Sequence, residues 1–232
     1  MKAIIFDAST LISFAMNGLL DELRGLKDLF DGKFIITKEV KKEAIDRPIT
    51  IKRFELQAMQ LKTLFTEKVL ELPKSLDVDD KLITEDAKDL VNSANKIFYG
   101  KNRKIEIIHL GEAECVALSK ILTERKIPNL LAIDERTMRM LCEKPGNLRN
   151  LLERKLHTKI TVKKNPEKII GNCVVIRSAE LVYMAYKKGL IKLKGNMVLD
   201  ALLYAMKYKG CSISEKEIQE IKSMDRKKQF IK

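Results

Sequence analysis

The sequence predicts an α/β fold built around a parallel β-sheet, and a repeated pattern leads to this class. The run Ala3–Phe6 is apolar at every position, has the length of a strand and ends at an acid, Asp7. An unbroken apolar strand is typical of a sheet that is covered on both faces, as parallel sheets are. The same pattern recurs at Leu130–Ile133, which ends at Asp134. Helical patterns follow both runs, as expected where helices connect parallel strands.

The two acids point to one site if their strands are neighbours. The carboxyl ends of parallel strands meet at one edge of the sheet, where open α/β sheets usually bind their ligands. Two carboxylates held close together repel each other unless a proton or a metal ion relieves the repulsion. The alternative is that Asp7 and Asp134 each cap the helix that follows, which is common for an acid in this position.

Composition limits the class of protein. The chain has 232 residues, 45% of them hydrophobic, which is enough for one large domain or two small ones with a real core. We find no apolar run near the roughly 18 residues that cross a membrane, and we expect a cytoplasmic protein with no membrane partner. The four cysteines are widely separated, so neither a zinc knuckle nor a disulfide framework is predicted.

The charge favours a polyanionic partner. Lys and Arg total 45 against 32 Asp and Glu, for a net charge of +13. Such an excess attracts nucleic acid through its phosphates. A Lys-rich solvated surface, or adaptation to heat, would explain the same composition.

Two helices between the strands carry further acids. A helix entered from Thr37 places Glu43 one turn from Val40, so that its side chain points partly toward the core. A second helix opens with Gly111–Glu114. Glu112 and Glu114 are two positions apart on that helix and cannot both face one pocket.

The remaining segments define the predicted domain boundaries. Composition turns polar over residues 74–104, where one helix is predicted to reach Phe98, and a short strand is expected at 105–108. A buried strand is predicted at Cys173–Ile176. We therefore predict a domain over residues 1–191, with insertions at about 74–104 and 143–172, and a helical C-terminal extension over 192–232.

The order of these motifs resembles that of the PIN-domain nucleases. The motifs are Asp7-x-Ser9, Thr37 to Glu43, Gly111 to Glu114 and Leu131 to Asp134. Residues 185–191 look like the C-terminal end of a mostly prokaryotic subgroup, many members of which resemble toxins of toxin–antitoxin pairs. The resemblance touches about two thirds of the chain. It implies a three-layer α/β/α sandwich around a mostly parallel sheet.

The resemblance also implies a site. The acidic set would be Asp7, Glu43, Glu112 and Asp134, which would hold Mg²⁺ or Mn²⁺ for the hydrolysis of phosphodiester bonds, usually in RNA. Ser9 takes the hydroxyl position after the first acid, and Arg139 matches a recurring basic residue. The sequence departs from the subgroup at Arg177–Glu180, which stands where a glycine-rich turn is usual, and Glu180 is a possible additional acid there. RNA, a protein partner such as an antitoxin, and a second copy of the chain are the expected partners.

Three functions are compatible with these observations. The first is a metal-dependent endoribonuclease for single-stranded RNA, and the second is a PIN-like module that binds RNA or a partner with weak catalysis or none. The third is a phosphatase of the haloacid dehalogenase type, since Ile4–Thr10 looks like that family's opening strand. That family needs a second Asp two residues later as general acid, and here Ser9 occupies the place.

Overall fold

The computed structural model describes residues 1–101, 103–165 and 173–229. The strands in chain order are β1 (Ala3–Phe6), β2 (Lys33–Ile35), β3 (Phe98–Gly100), β4 (Arg103–Lys104), β5 (Asn129–Ala132), β6 (Ile160–Val162) and β7 (Val175–Ile176). The helices are α1 (Ala8–Met16), α2 (Leu20–Leu29), α3 (Lys38–Lys41), α4 (Glu55–Thr66), α5 (Asp80–Ala94), α6 (Leu110–Glu124), α7 (Arg136–Glu143), α8 (Leu148–Leu156), α9 (Ser178–Lys187), α10 (Val198–Tyr208) and α11 (Glu215–Gln229). Helix α3 continues directly into a π-helical turn, Lys42–Asp46.

The main sheet is parallel and has the order β2-β1-β5-β7. The prediction that the two acid-terminated strands are parallel neighbours is confirmed, with Phe6 paired to Ala132. All four residues of β1 are buried. Because alternate side chains of a strand point to opposite faces, both faces of the sheet are covered at β1. The chain is therefore an α/β protein with a mostly parallel sheet, as predicted.

A second, antiparallel sheet has the order β4-β3-β6. Its strands come from the two predicted insertions, which therefore pair with each other. The helix predicted to reach Phe98 ends at Ala94, and β3 begins at Phe98. The strand predicted at 105–108 is wrong, because the backbone amides of Ile107 and Ile108 donate to the Asn95 side chain rather than to a neighbouring strand. Residues 166–172 of the second insertion lie outside the described residues.

The predicted C-terminal extension packs onto the first part of the chain. Leu203 and Met206 of α10 are fully buried and belong to the same apolar core as β1. Asn17, at the end of α1, donates from Nδ2 to the carbonyl of Ala205 at 3.4 Å, and Ser13 Oγ donates to the carbonyl of Lys209 at 3.3 Å. The last three residues of the predicted extension, 230–232, lie outside the described residues. Across the described helices, none is both long and apolar enough for a bilayer crossing.

Candidate metal centre

The strand register brings Asp7 and Asp134 to the same edge of the main sheet. Asp7 follows β1 directly, and its amide donates to the carbonyl of Ala132, the last residue of β5, at 3.0 Å. Asp134 stands two residues beyond that carbonyl. Both side chains are buried, with 4% of Asp7 and 0% of Asp134 exposed. Two acids are thus enclosed at the carboxyl ends of adjacent strands.

Asp7 is also the N-cap of α1, and Ser9 connects it to Asp134. Oδ2 of Asp7 accepts hydrogen bonds from the amide of Ser9 at 3.1 Å and from its Oγ at 2.5 Å. Oγ of Ser9 in turn accepts from the amide of Asp134 at 3.4 Å. Burial raises the pKa of Asp7, the bonds from Ser9 and Ala8 oppose this effect, and the charge of Asp134 adds to it. Ser9, which was predicted to follow the first acid at the hydroxyl position, therefore contacts that acid directly.

Asp134 does not cap the helix that follows it, because that role belongs to Glu135. Its Oδ1 accepts from the amide of Ser178, at the start of α9, at 2.8 Å. Its Oδ2 is buried, and no described residue donates a hydrogen bond to it. A buried carboxylate oxygen without a partner costs free energy of the order of 1–3 kcal/mol or more. This atom is the clearest sign that the fold leaves room for a positive ligand.

Glu43 lies in the π-helical turn after α3. Such turns are rare and are frequent at functional sites, because the extra residue redirects a side chain. A Cβ atom at Gly111 would stand 2.8 Å from Oε2 of Glu43, so the carboxylate packs directly on the start of α6. Burial raises the pKa of Glu43, and the charges of Asp7 and Glu39 raise it further, against the opposing effect of Arg47 and His109.

Glu112 lies in the first turn of α6, where its Oε2 accepts from the amide of His109 at 2.9 Å. Burial is the main cause that raises its pKa to about 8. The His109 bond lowers the pKa, and the charges of Asp7, Glu135 and Glu43 raise it. Asp7 is therefore an electrostatic neighbour of each of the other three predicted acids.

Sequence reasoning missed Glu135. It is the N-cap of α7, where its side chain accepts from the amide of Met138 at 2.8 Å. It also shares a pocket of about 160 Å³ with Glu112, His109 and Lys155. The signal was available, because Glu135 directly follows the acid that ends β5. Glu114 faces elsewhere, as predicted.

Arg139 and Glu180, the two further predicted residues, anchor the chain around Ser212. Arg139 donates to the carbonyl of Ser212 at 2.9 Å, and the amide of Ser212 donates to the carbonyl of Asp134 at 3.1 Å. Glu180 forms an ion pair with Arg177 and accepts from the Arg177 amide at 2.9 Å. Arg177 itself reaches the carbonyl of Ser212 at 3.0 Å. Both predicted residues thus lie near the acids but are engaged with this segment.

The donor chemistry fits a hard divalent cation. Carboxylate oxygens are the ligands that Mg²⁺ and Mn²⁺ prefer, and one of them, Oδ2 of Asp134, accepts no hydrogen bond from the part of the chain that the structure describes. Within residues 1–101, 103–165 and 173–229, no three His, Cys, Asp or Glu side chains form a ready-made metal-holding group. The acids are close enough to perturb one another without forming a closed ligand set. Comparisons of the chain with protein-family models, curated proteins and solved structures found no match.

Proposed function

We propose that this protein is a metal-dependent nuclease that hydrolyses phosphodiester bonds within single-stranded RNA. One observation carries the proposal: Asp7 and Asp134 are buried together at the carboxyl ends of two adjacent parallel strands, and no described residue donates a hydrogen bond to Oδ2 of Asp134. Glu43 and Glu112 are electrostatic neighbours of Asp7, and burial raises the pKa of both. Perturbed acids at such an edge are typical of functional sites.

Asp7, Asp134, Glu43 and Glu112 are the residues that would hold Mg²⁺ or Mn²⁺. A divalent cation supplies charge stabilisation for the phosphate under attack and lowers the pKa of an attacking water. Ser9 orients the Asp7 carboxylate through two hydrogen bonds, and the Ser178 amide fixes Oδ1 of Asp134. Burial raises the pKa of Glu112 to about 8 in the metal-free protein, so a cation that binds there must displace a proton.

The choice of RNA as substrate rests on charge and on the resemblance described above. A net charge of +13 favours a phosphate backbone over a neutral or cationic substrate. The proposal also includes the finer features of a PIN-like protein: a three-layer arrangement around the sheet, a cytoplasmic location, and a protein partner such as an antitoxin. Self-association remains a prediction from the sequence.

The experiment is a cleavage assay with single-stranded RNA labelled at its 5′ end, in Mn²⁺, with EDTA as a blank. We expect Asp7→Asn and Asp134→Asn to lose activity by on the order of 100-fold or more, since each removes charge that the reaction needs. Asp21→Asn is the matched control, because that acid is exposed on α2, with 66% of its side chain accessible. Internal products would establish endonuclease action. Equal cleavage by all four proteins would mean a contaminant or another site.

A binding measurement separates the site from the reaction. Mn²⁺ should raise the thermal midpoint of the wild-type protein, because a ligand that binds only the folded state stabilises it by mass action. Asp134→Asn should lose this increase, and Asp21→Asn should keep it. If the metal-dependent increase survives in Asp134→Asn, the cation binds elsewhere.

A second candidate is a PIN-like module that binds RNA or a partner with little or no catalysis. It is favoured by the absence of a ready-made ligand group among the described residues, and by the Arg177–Glu180 segment beside Asp134. Tight binding of RNA with no Mn²⁺-dependent cleavage would support this candidate over the nuclease.

A further inference from the structure

The small antiparallel sheet presents one face to the core and one to solvent. Residues paired across antiparallel strands lie on the same face. Tyr99 of β3 pairs with Lys104 of β4 on one side and with Thr161 of β6 on the other. Phe98 and Ile160, which lie on the opposite face, are buried to within 2%. The outer face of this sheet therefore consists of a tyrosine flanked by polar and basic side chains.

The aromatic ring on this face is close to a cation. Nζ of Lys163 stands 4.2 Å from the centre of the Tyr99 ring. The amide of Lys163 donates to the carbonyl of Ile97 at 2.8 Å, so the ladder between the strands extends to this residue. Lys163 is two positions beyond Thr161, which places it on the same face. The Tyr99 ring is thus partly exposed on the outer face of the sheet, with Lys163 over one side of it.

The surroundings of the sheet are basic. Residues 96–101, 103–106 and 155–165 hold a single acid, Glu106, against eight basic residues, all exposed: Lys96, Lys101, Arg103, Lys104, Lys155, Lys159, Lys163 and Lys164. None of the eight forms an ion pair with another residue in the described part of the chain. Basic side chains around a partly exposed aromatic ring are the chemical features that bind a single-stranded nucleic acid.

The sheet leads directly to the acids. The segment after β4 runs to α6, and Asn95 holds it by accepting from the amides of Ile107 and Ile108 at 2.7 and 3.2 Å. This segment and Lys155 line the same 160 Å³ pocket as Glu112. An RNA strand bound on the sheet therefore lies beside the pocket that contains Glu112.

We infer that the outer face of the β4-β3-β6 sheet binds single-stranded RNA, with a base stacked on Tyr99 and phosphates contacted by Lys104 and Lys163. Lys163 moves from the ring to a phosphate when the base arrives, which its flexible side chain allows. The inference rests on the proposed nuclease function for the choice of RNA among polyanions. It assigns to the sheet the task of holding the substrate beside the acids.

The test measures binding of a fluorescent single-stranded RNA in EDTA, where cleavage does not occur, over a range of salt concentrations. Tyr99→Val keeps a strand-forming residue and removes the ring, and we expect it to weaken binding about fivefold or more, whereas Tyr99→Phe keeps wild-type affinity. Lys104→Gln with Lys163→Gln should reduce the salt slope by about 0.7 for each lost phosphate contact. The matched control is Lys62→Gln with Lys188→Gln, two exposed lysines on α4 and after α9.

The outcomes separate this inference from the proposed function. Equal affinities and salt slopes in all variants, or no RNA binding by the wild type, would overturn the inference. The inference would also be overturned if the wild type bound double-stranded RNA as tightly as single-stranded RNA and Tyr99→Val did not change that affinity, because stacking needs an unpaired base. If the sheet variants lose RNA binding but the wild type never cleaves RNA in Mn²⁺, the inference holds and the nuclease proposal fails. If cleavage depends on Asp7 and the sheet variants bind RNA as tightly as the wild type, the nuclease proposal holds and this inference fails.

Discussion

Two groups of carboxylates lie near Asp134, and they differ in whether a cation compensates them. In one group, Glu180 and Glu217 both form ion pairs with Arg177. Burial acts to raise the pKa of Glu217, but hydrogen bonds from Ser214 and the charge of Arg177 lower it to about 2. In the other group, burial and like charges raise the pKa of Glu112 to about 8. The same type of side chain is thus strongly acidic in one cluster and weakly acidic in the other.

The difference indicates which cluster stabilises the fold and which one serves another purpose. Arg177 ties three parts of the chain together, because it contacts Glu180, Glu217 and the carbonyl of Ser212. Among the described residues no ion pair forms with Asp7, Glu43 or Glu112, and the charges of Arg47 and His109 only partly oppose the raised pKa of Glu43. Clusters of this second kind are expected where a ligand completes the site.

The largest effect on stability should come from Arg177→Gln. The substitution leaves Glu180 and Glu217 without their shared cation and the Ser212 carbonyl with one donor fewer. Both glutamates are about one-third exposed, so the loss is smaller than for a fully buried pair. We expect the free energy of unfolding to fall by about 2–4 kcal/mol, measured by urea denaturation.

Arg149→Gln is the matched control for Arg177. Arg149 is an exposed residue that forms a pair with Glu153 at 3.2 Å. Pairs of this kind contribute about 0–1 kcal/mol. A loss in Arg177→Gln no larger than in Arg149→Gln would mean that the compensated cluster does not stabilise the fold.

The next largest effect concerns two glutamates of α6, whose substitution should change the free energy of unfolding in opposite directions. Glu112→Gln removes a carboxylate that burial destabilises, and we expect it to stabilise the metal-free protein by about 1–2 kcal/mol at pH 8. Glu114 is buried as well, but it accepts from the amide of Glu39 at 3.1 Å and from the hydroxyl of Thr84 at 2.9 Å. Glu114→Gln should therefore destabilise the protein by about 1–2 kcal/mol. If urea denaturation showed that both variants were stabilised, or both destabilised, the contrast between the two glutamates would be wrong.

The main sheet and its acids could be predicted from the sequence because their signals are local. The apolar run of β1 was predicted with the correct bounds, and that of β5 within one residue, and each acid follows its own strand. The convergence of Asp7 and Asp134 then required only that the strands be parallel neighbours. Their pairing is confirmed.

The pairing of the small sheet could not be predicted, because it joins residues far apart in sequence. Phe98 continues the helical spacing of α5, but it pairs with Val162 in β6. The segment Cys173–Ile176, predicted as a buried strand, is an end strand of the described main sheet over Val175–Ile176 alone, and Val174 is 62% exposed. The π-helical turn at Glu43 also has no signal in the sequence.

The two clusters should give the protein opposite dependences on pH. The folded pKa of Glu112, about 8, lies above its unfolded value, so the folded state binds more protons between pH 5 and 8. Stability should therefore fall as pH rises through this range. The folded pKa of Glu217, about 2, lies below its unfolded value, so its contribution is complete above about pH 4.5 and is lost toward pH 2.

The measurement is the free energy of unfolding, from urea denaturation in EDTA between pH 3 and pH 9. Glu112→Gln should flatten the decline on the alkaline side, and Glu217→Gln should flatten the decline on the acid side, each by roughly 1 kcal/mol. Each variant serves as the control for the other. Should either variant flatten the opposite side instead, the assignment of the two declines is wrong.

The smallest effect on stability should come from Gly111→Ala, which tests how Glu43 is held. The new Cβ would lie 2.8 Å from Oε2 of Glu43, the free end of a flexible side chain, so the carboxylate moves while the helix stays. The unfolding free energy should change by less than about 1 kcal/mol, because Ala also favours the helix. The Mn²⁺ concentration that gives half the thermal shift should rise roughly tenfold. Gly25→Ala is the control, since its Cβ would meet Leu190 at 2.8 Å, away from the acids. If both variants keep the wild-type response to Mn²⁺, Glu43 does not contribute to the metal centre, and the candidate ligands reduce to Asp7, Glu112 and Asp134.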